Sequence, residues 1–84
     1  MRVHKFKVDD VVNLPLGYKI LSCQELDHTI FVWALVDPHE TQTVTVQFKI
    51  IGTGRDIDAE QWTHLATLID DNLFVWHVFI DENS

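Results

Sequence analysis

The residues of this chain with chemical potential are few and dispersed. They are five histidines (His4, His28, His39, His64 and His77), a single cysteine (Cys23), thirteen Asp and Glu, and the segment Gly52-Thr53-Gly54-Arg55. A zinc centre needs three or four converging ligands, usually at short recognisable spacings. Neither Cys-x-x-Cys nor His-x-x-x-His occurs, so no metal site is expected. Nucleophilic catalysis finds no support either. Cys23 and Ser22 fall inside a predicted strand, and no serine sits in a sharp strand-to-helix turn. The acids are scattered through turns as Asp9-Asp10, Asp56 and Asp58, Asp70-Asp71 and Asp81-Glu82, a pattern that identifies no acid/base pair. The expectation is a protein that binds rather than catalyses, without a cofactor.

Binding chemistry is better represented. Glycines at 52 and 54 permit close approach of a ligand to backbone N–H groups, and Arg55 follows with a guanidinium, so Gly52-Thr53-Gly54-Arg55 suits a phosphate. Simple turn geometry explains the same residues, and no six-residue glycine fingerprint or Walker lysine accompanies them. Trp62 follows the polar run Asp58-Ala59-Glu60-Gln61 and is therefore the tryptophan expected to be partly exposed. Beside Arg55 it would stack on a purine or anchor a protein partner; Trp33 and Trp76 read as core. His77 shares a strand face with Leu73, Val75 and Phe79 and needs a hydrogen-bond partner there. It is either a structural histidine, or else a ligand contact or a pH-sensitive interface group. The candidate ligand-binding set is thus Gly52, Thr53, Gly54, Arg55, Trp62 and His77.

The elements that must carry these residues are legible from hydrophobic alternation. Val3 to Val8 alternates as a half-buried strand, and Val12, Leu14 and Leu16 mark a second with Pro15 at its edge or end. Lys19–Leu26 and Thr29–Val36 read as a hairpin joined by Asp27-His28. Thr43–Ile51 alternates cleanly and stops at Gly52. Asp58 to Gln61 predicts one short helical turn, followed by a strand over Thr63–Ile69; a full helix over Asp58–Ile69 is the alternative. Asp70-Asp71-Asn72 then leads into a last strand, Leu73–Ile80. The predicted fold is mainly β, a compact antiparallel sandwich or open barrel of six to seven short strands with at most one short helix, in a single domain over residues 1–84.

Two stretches, Ile30–Val36 and Leu73–Ile80, are apolar on both alternating faces. A strand with one wet face alternates instead, so these two predict cover on both sides, from a curled sheet or from a second copy of the chain. Hydrophobic residues make up 46% of 84 residues, and no apolar run approaches membrane-span length. One cysteine allows no internal disulfide, which suits a reducing cytoplasm. The net charge of −7 opposes phosphate backbones, so nucleic acid and membrane are not expected partners.

Several pieces together resemble a family of small proteins common in tailed bacteriophages and prophages. They are Val3-His-Lys-Phe6, Leu14-Pro-Leu-Gly17 with Lys19-Ile-Leu21, Val32-Trp-Ala-Leu-Val-Asp-Pro38, Gly52-Thr-Gly54 and Val75-Trp-His-Val-Phe79. The resemblance implies a viral accessory protein in the cytoplasm of a bacterial host. Such a protein is expected to antagonise a defence function, either by sequestering a nucleotide-like signal or by occluding a host defence protein, with itself as a further partner. A structural or assembly component of a phage particle is the alternative.

Overall fold

The computed structural model describes residues 1–82. Seven strands form: β1 (Arg2–Lys7), β2 (Val11–Pro15), β3 (Lys19–Leu26), β4 (Thr29–Val36), β5 (Thr43–Gly52), β6 (Thr63–Ile69) and β7 (Val75–Asp81). All pairings are antiparallel. They make a three-stranded sheet in the order β1-β4-β3 and a four-stranded sheet in the order β2-β5-β7-β6. The mainly β sandwich read from the alternation is the architecture found.

Inward side chains from both sheets supply the core. Val32 on β4 and Cys23 on β3 meet Leu14 on β2, Val46 and Phe48 on β5, Val78 and Ile80 on β7, and Leu68 on β6. Pro15 is the last residue of β2, an edge strand, where its missing N–H costs no ladder bond. The chain turns at Asp58, where the Glu60 N–H donates to Asp58 Oδ1 at 3.0 Å and the Trp62 N–H to the Asp58 carbonyl at 3.0 Å, while the Gln61 side chain donates to Asp81 Oδ2 at 3.3 Å rather than closing a capping box. No helix over Asp58–Ile69 forms, because Thr63 onward pairs with β7 instead.

One expectation needs correction. β7 begins at Val75, not Leu73. The Asp70 carboxylate draws the chain into a tight loop by accepting from the backbone N–H groups of Asn72 (2.9 Å) and Phe74 (3.0 Å). Leu73 is thereby held at φ 65°, a conformation no strand residue adopts. The two-sided apolar character of the last run therefore ends as an exposed loop: Leu73 is 80% and Phe74 62% exposed.

Cover over β4 within the single chain is complete on one face and partial on the other. Its inward Val32, Ala34 and Val36 are buried, whereas Phe31, Trp33 and Leu35 are only half-buried. Lysines flank that outward row. Lys5 and Lys7 on β1 pair with Trp33 and Phe31, and Lys19 on β3 pairs with Leu35. The Lys5 ammonium sits 4.6 Å from the Phe31 ring centroid. Long side chains of this kind lay apolar stems on apolar surface and keep their charge in water, so part of the cover comes from within the chain.

Candidate functional site

The residues singled out in the sequence separate into two places. Gly52 closes β5 opposite Trp76. A turn follows, with the Arg55 N–H donating to the Gly52 carbonyl at 3.4 Å and Gly54 at φ 92°. Thr53 and His77 do meet: the Thr53 hydroxyl and His77 Nε2 are 2.9 Å apart. The other ring nitrogen, Nδ1, lies 3.1 Å from the Thr67 hydroxyl, which in turn lies 2.9 Å from His64 Nε2. A chain Thr53–His77–Thr67–His64 thus crosses the outer face of the four-stranded sheet. Both ring nitrogens of His77 are occupied, which satisfies the half-buried imidazole and leaves it no nitrogen for a ligand or metal.

Trp62 stands apart from this group. It is half-buried, and the cation over its ring is Lys49, at 5.7 Å from the centroid. Its cleft, about 310 Å³, is lined by Asp10, Val11, Gln47, Phe48 and Lys49. Gln47 lies five strand residues from Gly52, ~17 Å along β5. The Gly52–Arg55 turn and Trp62 therefore do not converge on a shared pocket.

A different site is built where the tips of two hairpins meet at one end of the sandwich. The β3–β4 tip turns through Asp27 and His28, both at positive φ (52° and 65°), the geometry of a type I′ turn. The β6–β7 tip is the Asp70 loop. Between them lies a cleft of about 330 Å³ lined by Glu25, His28, Ile30, Ile50, Asp70 and Trp76. Trp76 lies on the inward side of β7, but at the sandwich end it has Gly52 beside it: a β-carbon there would come to 3.8 Å of the indole. The ring lines the cleft, where its Nε1 donates to Asp70 Oδ2 at 2.9 Å.

The electrostatics of this end are acidic and pre-arranged. The Trp76 indole N–H holds the Asp70 carboxyl below the usual carboxylate range; partial desolvation opposes this, while the Phe74 and Asn72 N–H groups and nearby His28 reinforce it. Glu25 is largely enclosed, its side chain 19% exposed, with His28 Nδ1 4.0 Å from its Oε1. Ligand atoms of Glu25, His28 and Asp71 lie within 4.8 Å of one another, a grouping that no sequence spacing disclosed. Around the cleft, Leu26, Ile50, Ile69, Leu73 and Phe74 are exposed apolar side chains. Phe74 stacks obliquely on Trp76, with centroids 6.4 Å apart.

Reading along the chain missed this site because its parts come from separate tips. The available signal was Asp70-Asp71-Asn72 followed by Leu73-Phe74: a turn-forming run that ends in two large apolar residues. The one thiol, Cys23, is buried in the core, and burial pushes its pKa up to about 11. No helix among the described residues is long and apolar enough to cross a membrane.

Neither a curated protein nor a solved structure matches the chain. Over residues 1–84 it matches the family described as a domain of unknown function, DUF7352, and this seven-stranded sandwich belongs to that family.

Proposed function

We propose that this protein is a phage-type accessory protein of the bacterial cytoplasm that acts by binding, without catalysis, and antagonises a host defence function by occluding a host protein. The phage context rests on the sequence resemblance. The observation that carries the binding mode is the end of the sandwich, where Leu73 and Phe74 are 80% and 62% exposed beside a cleft. Large apolar side chains clustered on a surface mark interaction sites, and aromatic residues among them tend to dominate the affinity. Sequestration of a nucleotide-like signal has less behind it, because Gly52–Arg55 and Trp62 line no common cleft and the end cleft is rimmed by carboxylates that repel phosphate.

The test is the efficiency of plating of a sensitive phage on bacteria that carry a defence system and express the protein. Wild type should restore plating against at least one system. The double variant Leu73→Ser/Phe74→Ser should lose that protection while keeping its fold, since both side chains already face water. Equal protection by the variant, or recovery of the protein from purified particles as a stoichiometric component, overturns the proposal.

Self-association is a second element, favoured by the outward row Phe31, Trp33 and Leu35, which stays half-buried with Lys5 over the Phe31 ring. Light scattering over a concentration series should give a dimer or larger assembly that Trp33→Glu shifts toward monomer. A strictly monomeric wild type removes this element and leaves the end site untouched.

A further inference from the structure

We infer that the cleft between the hairpin tips is a receptor for an organic cation, the guanidinium or ammonium end of an arginine or lysine side chain presented by the protein partner. The inference rests on the docking reading above and names what the cleft itself takes.

Three features of the cleft point there. Its volume of about 330 Å³ lies at the lower end of the range for ligand pockets, enough for one long side chain and far more than a bare ion fills. Its walls combine apolar surface, Ile30 and Ile50, with the Trp76 indole. An alkyl stem packs against such walls, and an indole is the aromatic group most attractive to cations. Its polar groups are two carboxylates and one imidazole, with no lysine or arginine in the lining.

The two carboxylates differ in what they have left to offer. Asp70 Oδ1 already accepts from Asn72 and Phe74, and Oδ2 accepts from Trp76. The group is fixed in place with one acceptor direction still open on Oδ2. Glu25, among the described residues, has only the 4.0 Å approach of His28 as an ion-pair partner. A largely enclosed carboxylate so weakly compensated gains most from a cation that donates hydrogen bonds. A guanidinium fork on Glu25, with its edge turned to Asp70 Oδ2, engages both carboxylates of the lining.

The experiment is an amide and indole NMR titration of the ¹⁵N-labelled protein with N-acetyl-arginine amide, and with its neutral isostere N-acetyl-citrulline amide. The arginine compound should shift the Trp76 indole N–H and the Asp70–Phe74 amides saturably, with affinity at least 10-fold above citrulline. Glu25→Gln, which keeps shape and leaves Asp70 and its loop intact, should reduce that affinity about 10-fold. Equal binding of citrulline, no saturable shift, or retention of full affinity by Glu25→Gln overturns the inference. So does tight Zn²⁺ binding through Glu25, His28 and Asp71 that excludes the arginine compound, since the cleft is then a metal site. Failure here together with lost plating by Leu73→Ser/Phe74→Ser leaves docking in place without the cation. Arginine binding with normal plating by that variant removes the docking role and keeps the cleft.

Discussion

Gly52 and Gly54 are alike in the sequence and unlike in their surroundings. Gly54 sits at φ 92° with nothing within 4 Å of an added β-carbon, whereas Gly52 has no positive φ and faces Trp76 at 3.8 Å. Gly54→Ala should therefore cost about 1 kcal/mol in urea denaturation through backbone strain. Gly52→Ala should be neutral or stabilise by about 0.5 kcal/mol, because a strand glycine gives up more chain entropy than alanine does. Asp70 carries a pH signature. Its folded pKa lies below the unfolded value of about 3.9, so its stabilisation is complete above that value and is lost as pH falls through the folded pKa. Asp70→Asn should flatten the fall in stability below about pH 4, as followed by denaturant midpoints. Cys23, with its thiol pushed up to about 11 by burial, should resist a thiol reagent at pH 8 in the folded protein and react fully on unfolding.

Alternation along single strands disclosed most of the elements, because inward and outward residues differ sharply wherever one face is wet. Thr43–Ile51 shows it best, and the Asp27-His28 tip was placed by two-residue hairpin spacing. Legibility failed where a side chain rewrites the backbone. Nothing in the apolar run Leu73–Ile80 announces that Asp70 will capture the Asn72 and Phe74 N–H groups and expel Leu73 from the strand. The face of Trp76 was legible, but its exposure was not. Exposure depends on the sheet order, which puts the end of β7 beside Gly52 and opens it toward a different hairpin. Both tips hold ordinary residues in left-handed conformations: Asp27, His28 and Leu73. Asp27→Asn with His28→Gly should raise stability by about 1 kcal/mol, since Asn-Gly is the preferred pair for a type I′ turn. Gain of stability with the plating phenotype intact would show that the imidazole is dispensable for docking.

Charge is unevenly distributed over the whole molecule. Against thirteen acids and six bases, the outer face of β1-β4-β3 sets Lys5, Lys7 and Lys19 beside Phe31, Trp33 and Leu35 with no carboxylate on its strand positions. Apart from Glu25 on β3 and the buried Asp81 on β7, the acids lie in the turns and loops. Self-repulsion among them should make stability rise with ionic strength, with the melting temperature several degrees higher at 0.2 M salt than at 0.01 M, where the screening length is about 30 Å. A melting temperature that falls with salt would mean that the lysine face and its neighbours contribute net attraction instead. Tyr18 adds an anchor between distant parts of the chain: its hydroxyl donates to the Glu82 carboxylate beyond β7, and burial with that carboxylate raises its pKa well above the ordinary phenol.

The sheet order β2-β5-β7-β6 also governs how the molecule comes into being. β6 has no partner in that sheet except β7, and β5 has only the short β2 until β7 arrives. On the ribosome the three-stranded sheet can assemble early, around the local β3–β4 hairpin, while Val46, Phe48 and Leu68 wait without a core. The decisive event is insertion of one late strand between two earlier ones, a non-local step of the kind that places folding in the millisecond-to-second range. During that interval the unpaired edges of β5 and β6 are open to other chains. Yield of native protein should therefore depend more on synthesis rate and chaperone supply than on any residue of the binding end.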